Sequence, residues 1–228
     1  MKKLYLAGLL MFFAQFAAAH QQAVAPVDRP PEPNMVFDDD GGKVQIVPAD
    51  LSAPEPKKFH GGAVMASAQQ VSIFLGSGWA EAAVRARQGS LADVSSPAAN
   101  PQLADMAAHN IKALPAAPLV EDFGDLSKTP LNDLDIQRKL QQMLESKAIP
   151  APRASTVYVV FLAPGTVSTL GGNKAGTDYA AYHNVVNLEA GEVRYVVVPF
   201  HQDVQRQAAA AARSFAETAL NPNGQGWF

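Results

Sequence analysis

The sequence predicts an α/β or α+β domain with a central mixed sheet packed by helices. Three runs of β-branched and aromatic residues, near 71–75, 156–162 and 193–198, indicate strands buried on both faces. Two segments near 132–147 and 203–220 carry apolar residues at helical spacing, as in amphipathic helices that cover a sheet. Strands that alternate with helices along the chain place it in this class.

The composition predicts one globular core and excludes several classes of function. The chain has 228 residues, of which 48% are hydrophobic and 17% are charged. It contains no cysteine, which excludes disulfides, thiol catalysis and thiolate metal sites. The formal net charge is −3, so no basic field attracts a phosphate backbone and nucleic acid is not an expected partner.

The N-terminal residues predict export. Lys2 and Lys3 precede the apolar run Leu4–Phe16, and alanines occupy positions 17–19, which is the pattern of a signal peptide. The run is shorter than the roughly 20 apolar residues that span a bilayer. We therefore expect cleavage near His20, no membrane span afterwards, and a periplasmic or extracellular protein.

The predicted signal peptide, residues 1–19, is followed by a leader and then by one globular domain over 37–228. Residues 20–36 contain four prolines and few large apolar side chains, which predicts a disordered leader that could tether the protein to a partner. Asp38–Asp40 and two glycines predict a turn before a strand over 44–47. A calcium loop is the alternative, but the closing Glu of an EF-hand is missing.

The middle of the chain alternates regular and irregular segments. The strand near 71–75 leads through a glycine turn to a predicted helix over Trp79–Gln88. Residues 95–127 carry several prolines, so we expect an irregular excursion with one short helix near 103–113. A loop is expected between the strands near 156–162 and 193–198.

The two long helices have recognisable stripes and ends. Asn132 or Thr129 is expected to cap the first helix, and Pro150 ends it. Its apolar stripe consists of Ile136, Leu140, Met143 and Leu144. The last helix is stopped by Pro222, and its stripe consists of Val204, Ala208, Ala211, Phe215 and Ala219.

Three stretches, in order along the chain, combine into a recognisable set of motifs. The first is Phe59-His60-Gly61-Gly62, followed by a strand and Trp79. The second is the helix Asp133–Ser146, followed by a strand and Pro164-Gly165-Thr166. The third comprises Tyr182-His183, Tyr195–Pro199, Phe215-Ala216-Glu217, Asn221-Pro222 and Gly226-Trp227. Together they cover most of residues 59–228 and resemble the exported phosphate-induced, or EXORDIUM-like, family, especially its bacterial members.

The resemblance implies a zincin-like last helix that is degenerate in this chain. Many bacterial members carry His-Glu one turn before a Glu matched by Glu217, and residues four apart on one helix face can bind zinc while the intervening Glu activates water. Here Arg213 and Ser214 stand at those positions, and Asn221 replaces an Asp. Arginine offers no lone pair and serine is no general base at neutral pH. The resemblance therefore implies a pseudoenzyme, and we expect Arg213 and Glu217 to form an exposed ion pair.

His60, His183 and Glu217 remain as candidate ligand-binding residues. His183, Glu217 and His201 would suit zinc if folding brought them together, and no other cofactor is expected. His60 precedes two glycines that allow close approach of a ligand, but the same residues are typical of a tight turn.

We expect an exported, non-catalytic binding or cell-envelope interaction protein on a metal-hydrolase-like scaffold. Its partner would be an envelope or extracellular protein or a glycan. An aromatic sugar-binding platform is one alternative, although the same residues are typical of a core. The platform would comprise Trp79, Trp227, Tyr158, Tyr195 and Phe161. The other alternative is a metal-dependent, peptidase-like hydrolase that uses His183, His201 and Glu217.

Overall fold

The structure is a computed structural model that describes residues 34–52, 58–95, 103–124, 126 and 130–224. These residues belong to one compact unit. The predicted signal peptide, most of the leader and Trp227 lie outside them. Within these ranges, no helix combines the length and the apolar character needed to cross a bilayer.

A mixed eight-stranded sheet with helices on both faces confirms the predicted fold class. Its strands are β1 (Met35–Phe37), β2 (Lys43–Pro48), β3 (Ser67–Leu75), β4 (Lys112–Leu114), β5 (Val120–Asp122), β6 (Thr156–Leu162), β9 (Tyr179–Leu188) and β10 (Gly191–Val198). A separate small hairpin comprises β7 (Thr169–Leu170) and β8 (Asn173–Lys174). The helices are α1 (Ala82–Arg85), α2 (Gln88–Leu91), α3 (Ala104–Ala108), α4 (Asp133–Glu145) and α5 (Val204–Leu220).

The order across the sheet is β1, β2, β9, β10, β6, β3, with β4 and β5 both paired to the outer edge of β3. The strands β10, β6, β3, β4 and β5 run parallel to one another. The strands β9, β2 and β1 complete the sheet by antiparallel pairing. The strands predicted near 71–75, 156–162 and 193–198 are therefore the parallel centre of the sheet, and the one predicted over 44–47 is the antiparallel β2.

Two helical layers explain why the central strands carry apolar residues at nearly every position. In β6, Val157, Val159 and Phe161 pack in the layer that contains α5. The alternate residues Tyr158 and Val160 pack in the layer that contains α4. Because successive side chains of a strand point to opposite faces, a strand covered on both sides must be apolar throughout.

The aromatic residues that suggested a sugar platform belong to the core. Trp79, Tyr158, Phe161 and Tyr195 are fully buried, so these four form no exposed platform. The Trp79 indole lies under the sheet, where its Nε1 donates a hydrogen bond to the carbonyl oxygen of Phe161 at 3.0 Å. The interpretation of these residues as core is confirmed.

Several local predictions are confirmed. Asn132 caps α4 and forms a capping box with Asp135. The triple aspartate forms a turn before β2, in which the Asp38 carboxylate accepts hydrogen bonds from the amides of Asp40 and Gly42. The Asp38 carboxylate therefore stabilises the turn in which it lies.

Three segments differ from the prediction. The expected loop before β10 contains the ten-residue strand β9, whose sequence includes the polar residues His183 and Asn184. The expected helix over 79–88 is divided into a 3₁₀ turn over 77–80, α1 and α2, and the extended backbone of Glu81 separates the 3₁₀ turn from α1. The predicted excursion contains β4 and β5, each only three residues long, which gives too little pattern to detect.

Candidate functional site

The structure places the four candidate residues in different environments. His60 is exposed on the loop before β3, where the next residue, Gly61, has a left-handed φ of 85° that suits a turn. His183 is buried in β9, and Glu217 is buried in the last turn of α5. His201 is partly exposed on the loop that leads into α5.

His183 lies on the sheet face that packs against α5. It pairs in register with Gln45 of β2 and Val196 of β10, and Val196 belongs to the core under α5. The Gln45 side chain accepts a hydrogen bond from Asn221 Nδ2 at 3.3 Å, and Asn221 follows Glu217 by one helical turn. The fold therefore brings His183 and Glu217 to the same layer.

The fold does not bring His201 close to His183 and Glu217. It precedes Asp203, the residue that caps the start of α5, whereas Glu217 lies in its last turn. At 1.5 Å per residue these two ends are about 20 Å apart. Within the described ranges, no three His, Asp or Glu side chains are grouped so that they could hold a metal ion.

Arg213 and Glu217 form a buried ion pair. The Arg213 Nε donates to Glu217 Oε1 at 3.2 Å, and the two side chains are only 9% and 5% exposed. The Arg213 Nη1 also donates to the carbonyl oxygen of Ser52 at 2.6 Å. The prediction of an exposed pair was wrong, because α5 is buried on nearly all sides over 210–220 and leaves this face no access to water.

This pair decides what the end of α5 can do chemically. The guanidinium occupies one oxygen of the Glu217 carboxylate and is itself anchored to the backbone at Ser52. Before the bonded oxygen, Oε1, could bind a metal ion or take a proton from water, it would have to give up its hydrogen bond to the buried guanidinium. The arrangement is suited to joining α5 to the chain after β2.

A second buried polar cluster, around Asp133, is absent from the sequence-based candidates. Asp133 is the first residue of α4 and is 1% exposed. Its Oδ2 accepts hydrogen bonds from the Tyr195 hydroxyl at 2.7 Å, Gln137 Nε2 at 2.8 Å and Asn184 Nδ2 at 2.9 Å. The cluster joins α4 to β9 and β10.

Burial controls the protonation of the Asp133 cluster. Burial raises the pKa of Asp133, although hydrogen bonds led by that from Tyr195 oppose the effect. Burial also raises the pKa of Tyr195 and of Tyr182, well above that of an ordinary phenol. The buried Tyr182 hydroxyl interacts with the same carboxyl group, but without hydrogen-bonding geometry to any described residue. The sequence contained one signal for this cluster: Asp133 extends the buried stripe of Ile136 and Leu140 by one turn.

A small cavity of about 50 Å³ lies at the start of α5, beside the carboxyl end of β10. Its polar lining residues are His201, Arg206 and Gln207, and most of the rest are small or apolar, including Phe200. Gln207 is buried, and its amide is satisfied: Nε2 donates to the Pro199 carbonyl oxygen at 3.2 Å, and Oε1 accepts from Arg87 at 3.2 Å. His201, one of the predicted candidates, thus lines this cavity.

The chain matches no family model, no curated protein and no solved structure.

Proposed function

We propose that this protein is an exported, non-catalytic binding protein of the bacterial cell envelope or exterior, an EXORDIUM-like pseudoenzyme. The buried Arg213–Glu217 ion pair is the observation that carries this proposal. It supports the interpretation that the last helix has exchanged a catalytic turn for a structural one. The expected partners are an envelope or extracellular protein or a glycan.

The charges around the last helix favour this function over hydrolysis. A water molecule is activated by a carboxylate that can take its proton, and Glu217 already accepts a hydrogen bond from a buried arginine at 3.2 Å. Moving Arg213 aside would strand its charge in a layer of alanine and phenylalanine side chains. Uncompensated burial of one ion costs several kcal/mol, so the resting geometry is strongly preferred.

Metal analysis combined with a peptide hydrolysis assay tests the proposal. Purified wild-type protein, incubated with zinc and then desalted, is expected to retain far less than one zinc per chain and to release no product from a generic peptide substrate. Glu217→Gln is compared with Glu189→Gln, because Glu189 lies in the exposed turn after β9. Stoichiometric zinc that is lost in Glu217→Gln but kept in Glu189→Gln would contradict the proposal.

The alternative function, a metal-dependent hydrolase with a rearranged site, is favoured by one observation. His183 and Glu217 both lie in the layer between the sheet and α5. The same assay on His183→Ala separates the two functions. If zinc content and hydrolysis both fall in His183→Ala and in Glu217→Gln, the hydrolase is correct; if neither is present in the wild type, it is not.

Export belongs to the proposal and has its own test. The support is the sequence of residues 1–19, with its basic start, apolar run and alanines. Expression of the full chain in a bacterium, followed by N-terminal sequencing of the protein in the periplasm or medium, is expected to give a start near His20. Full-length protein confined to the cytoplasm would contradict export.

A further inference from the structure

We propose that the cavity at the start of α5 binds a small organic carboxylate, about the size of acetate. This inference rests on the proposed binding function and names a ligand class for it. The volume of about 50 Å³ sets the size, since one water molecule needs roughly 10–15 Å³ measured in this way. The cavity therefore holds about four small heavy atoms, the number in acetate.

Arg206 supplies the charge that selects an anion. Its Nη2 donates to the Ala49 carbonyl oxygen, which fixes the guanidinium at the cavity wall. A guanidinium has five N–H donors in a planar fork that matches a carboxylate. The bond to Ala49 is the only hydrogen bond that the Arg206 side chain makes within the described ranges, so its other donors are available to a ligand.

His201 offers a second donor. Its Nδ1 lies 3.0 Å from the amide nitrogen and 3.2 Å from the carbonyl oxygen of Asp203. Where Nδ1 accepts from the Asp203 amide, the ring proton is on Nε2, and this N–H can donate to a ligand. The Arg206 guanidinium and the Nε2–H of His201 are donors on one cavity wall, and both are complementary to an anion.

A second arginine, Arg87, contacts three of the residues that line the cavity. Arg87 lies over the Phe200 ring, with its guanidinium carbon 4.5 Å from the ring centroid, and donates to the His201 carbonyl oxygen at 2.6 Å. It also donates to Gln207 Oε1 at 3.2 Å. These contacts hold Phe200, His201 and Gln207 in place, so the wall is organised without a ligand.

Two carboxylates lie near Arg206, but neither lines the cavity. Asp203 is exposed and accepts from the amides of Gln205 at 2.9 Å and Arg206 at 3.2 Å as the cap of α5. Asp50 is exposed and accepts from the Ser52 amide at 2.9 Å. Both charges are screened by solvent, whereas a ligand in the cavity would meet the guanidinium in a partly enclosed space.

The apolar part of the lining favours a carboxylate over an inorganic anion. Ala49, Ala180, Ala210 and Phe200 line the cavity beside the polar groups. A methyl or ethyl group can occupy this part, and its burial contributes about 0.8 kcal/mol per carbon in general. Phosphate would place charged oxygens against the same alanines, which costs free energy.

An NMR titration of the full-length protein tests the inference. Amide shifts are followed while sodium acetate replaces sodium chloride at constant ionic strength, with acetamide as the uncharged control and phosphate as a second anion. Saturable acetate binding in the millimolar range is expected to shift amides near residues 200–207. Failure of acetate to saturate, or equal binding of acetamide or phosphate, would overturn the inference.

Three variants locate the site. Arg206→Gln is expected to weaken acetate binding at least tenfold, whereas Arg138→Gln, at an exposed arginine of α4, leaves it unchanged. Because Arg206 also holds Ala49, Ala180→Val serves as a second variant that fills the cavity and keeps every charge. Unchanged acetate binding in folded Ala180→Val would overturn the inference. The proposed function would not be contradicted by that result, because it is tested separately by the metal and hydrolysis assays.

Discussion

Replacement of Glu217 by glutamine should destabilise the protein by about 3 kcal/mol, at the lower end of the 3–5 kcal/mol found when one partner of a buried ion pair is removed. The change keeps the shape of the side chain and one acceptor for the Arg213 Nε, but it removes the negative charge. Both side chains are less than a tenth exposed, so water cannot replace the lost partner. The remaining hydrogen bond from Arg213 to Ser52 does not neutralise the guanidinium.

Urea unfolding, followed by tryptophan fluorescence to which the buried Trp79 contributes, measures this effect. Glu189→Gln is the matched control, and we expect less than about 0.5 kcal/mol for this exposed position. The double variant Arg213→Met with Glu217→Gln removes the stranded charge and should recover much of the loss. A double-mutant cycle that includes Arg213→Met gives the coupling between the two residues. A cost below 0.5 kcal/mol for Glu217→Gln, with no coupling, would refute the reasoning.

Three further predictions concern the rest of the fold. Burial raises the pKa of Asp133 above 3.8, so the native state binds this proton more tightly than the unfolded state does, and the stability that the proton contributes is lost as the pH rises above 3.8. The free energy of unfolding of Asp133→Asn, measured in urea, should therefore increase relative to that of the wild type as the pH rises above 3.8; a difference that does not change with pH would contradict this. Asn132→Ala removes the capping box of α4 and should cost about 1 kcal/mol in the same assay; no loss would contradict the cap. Gly171 and Gly172 both have positive φ, but a Cβ at Gly171 would overlap the Phe37 carbonyl oxygen, whereas a Cβ at Gly172 would have no atom within 4 Å. Thermal unfolding should therefore show a larger decrease in Tm for Gly171→Ala than for Gly172→Ala. Equal decreases would contradict the contact.

The sequence alone predicted the elements in which apolar residues follow a regular pattern. The central strands β3, β6 and β10 are buried on both faces, so their apolar runs appear in the sequence. The helix α4 has a regular stripe and a cap. The strand β9 was missed, because His183 faces α5 whereas Asn184 bonds Asp133 on the opposite face. Because these two adjacent polar residues point to opposite faces of the sheet, the strand lacks the alternation of apolar and polar residues on which strand prediction depends.

The candidate site was only partly predictable for a related reason. Arg213 and Glu217 are four residues apart, which indicates that they meet, but the spacing does not indicate whether the pair is exposed. Its burial follows from the packing of α5 between the sheet and the segment at Ser52, a contact between residues far apart in the chain. His201 was a candidate on ligand chemistry alone, and the fold gives it a cavity at the opposite end of α5 from Glu217.

Anomalous diffraction at the zinc edge, from crystals of the full chain grown with zinc chloride, tests the central claim most directly. The account predicts an Arg213 guanidinium on the Glu217 carboxylate and no anomalous peak beside it. A zinc peak within coordination distance of Glu217 and His183, with Arg213 turned away, would contradict it.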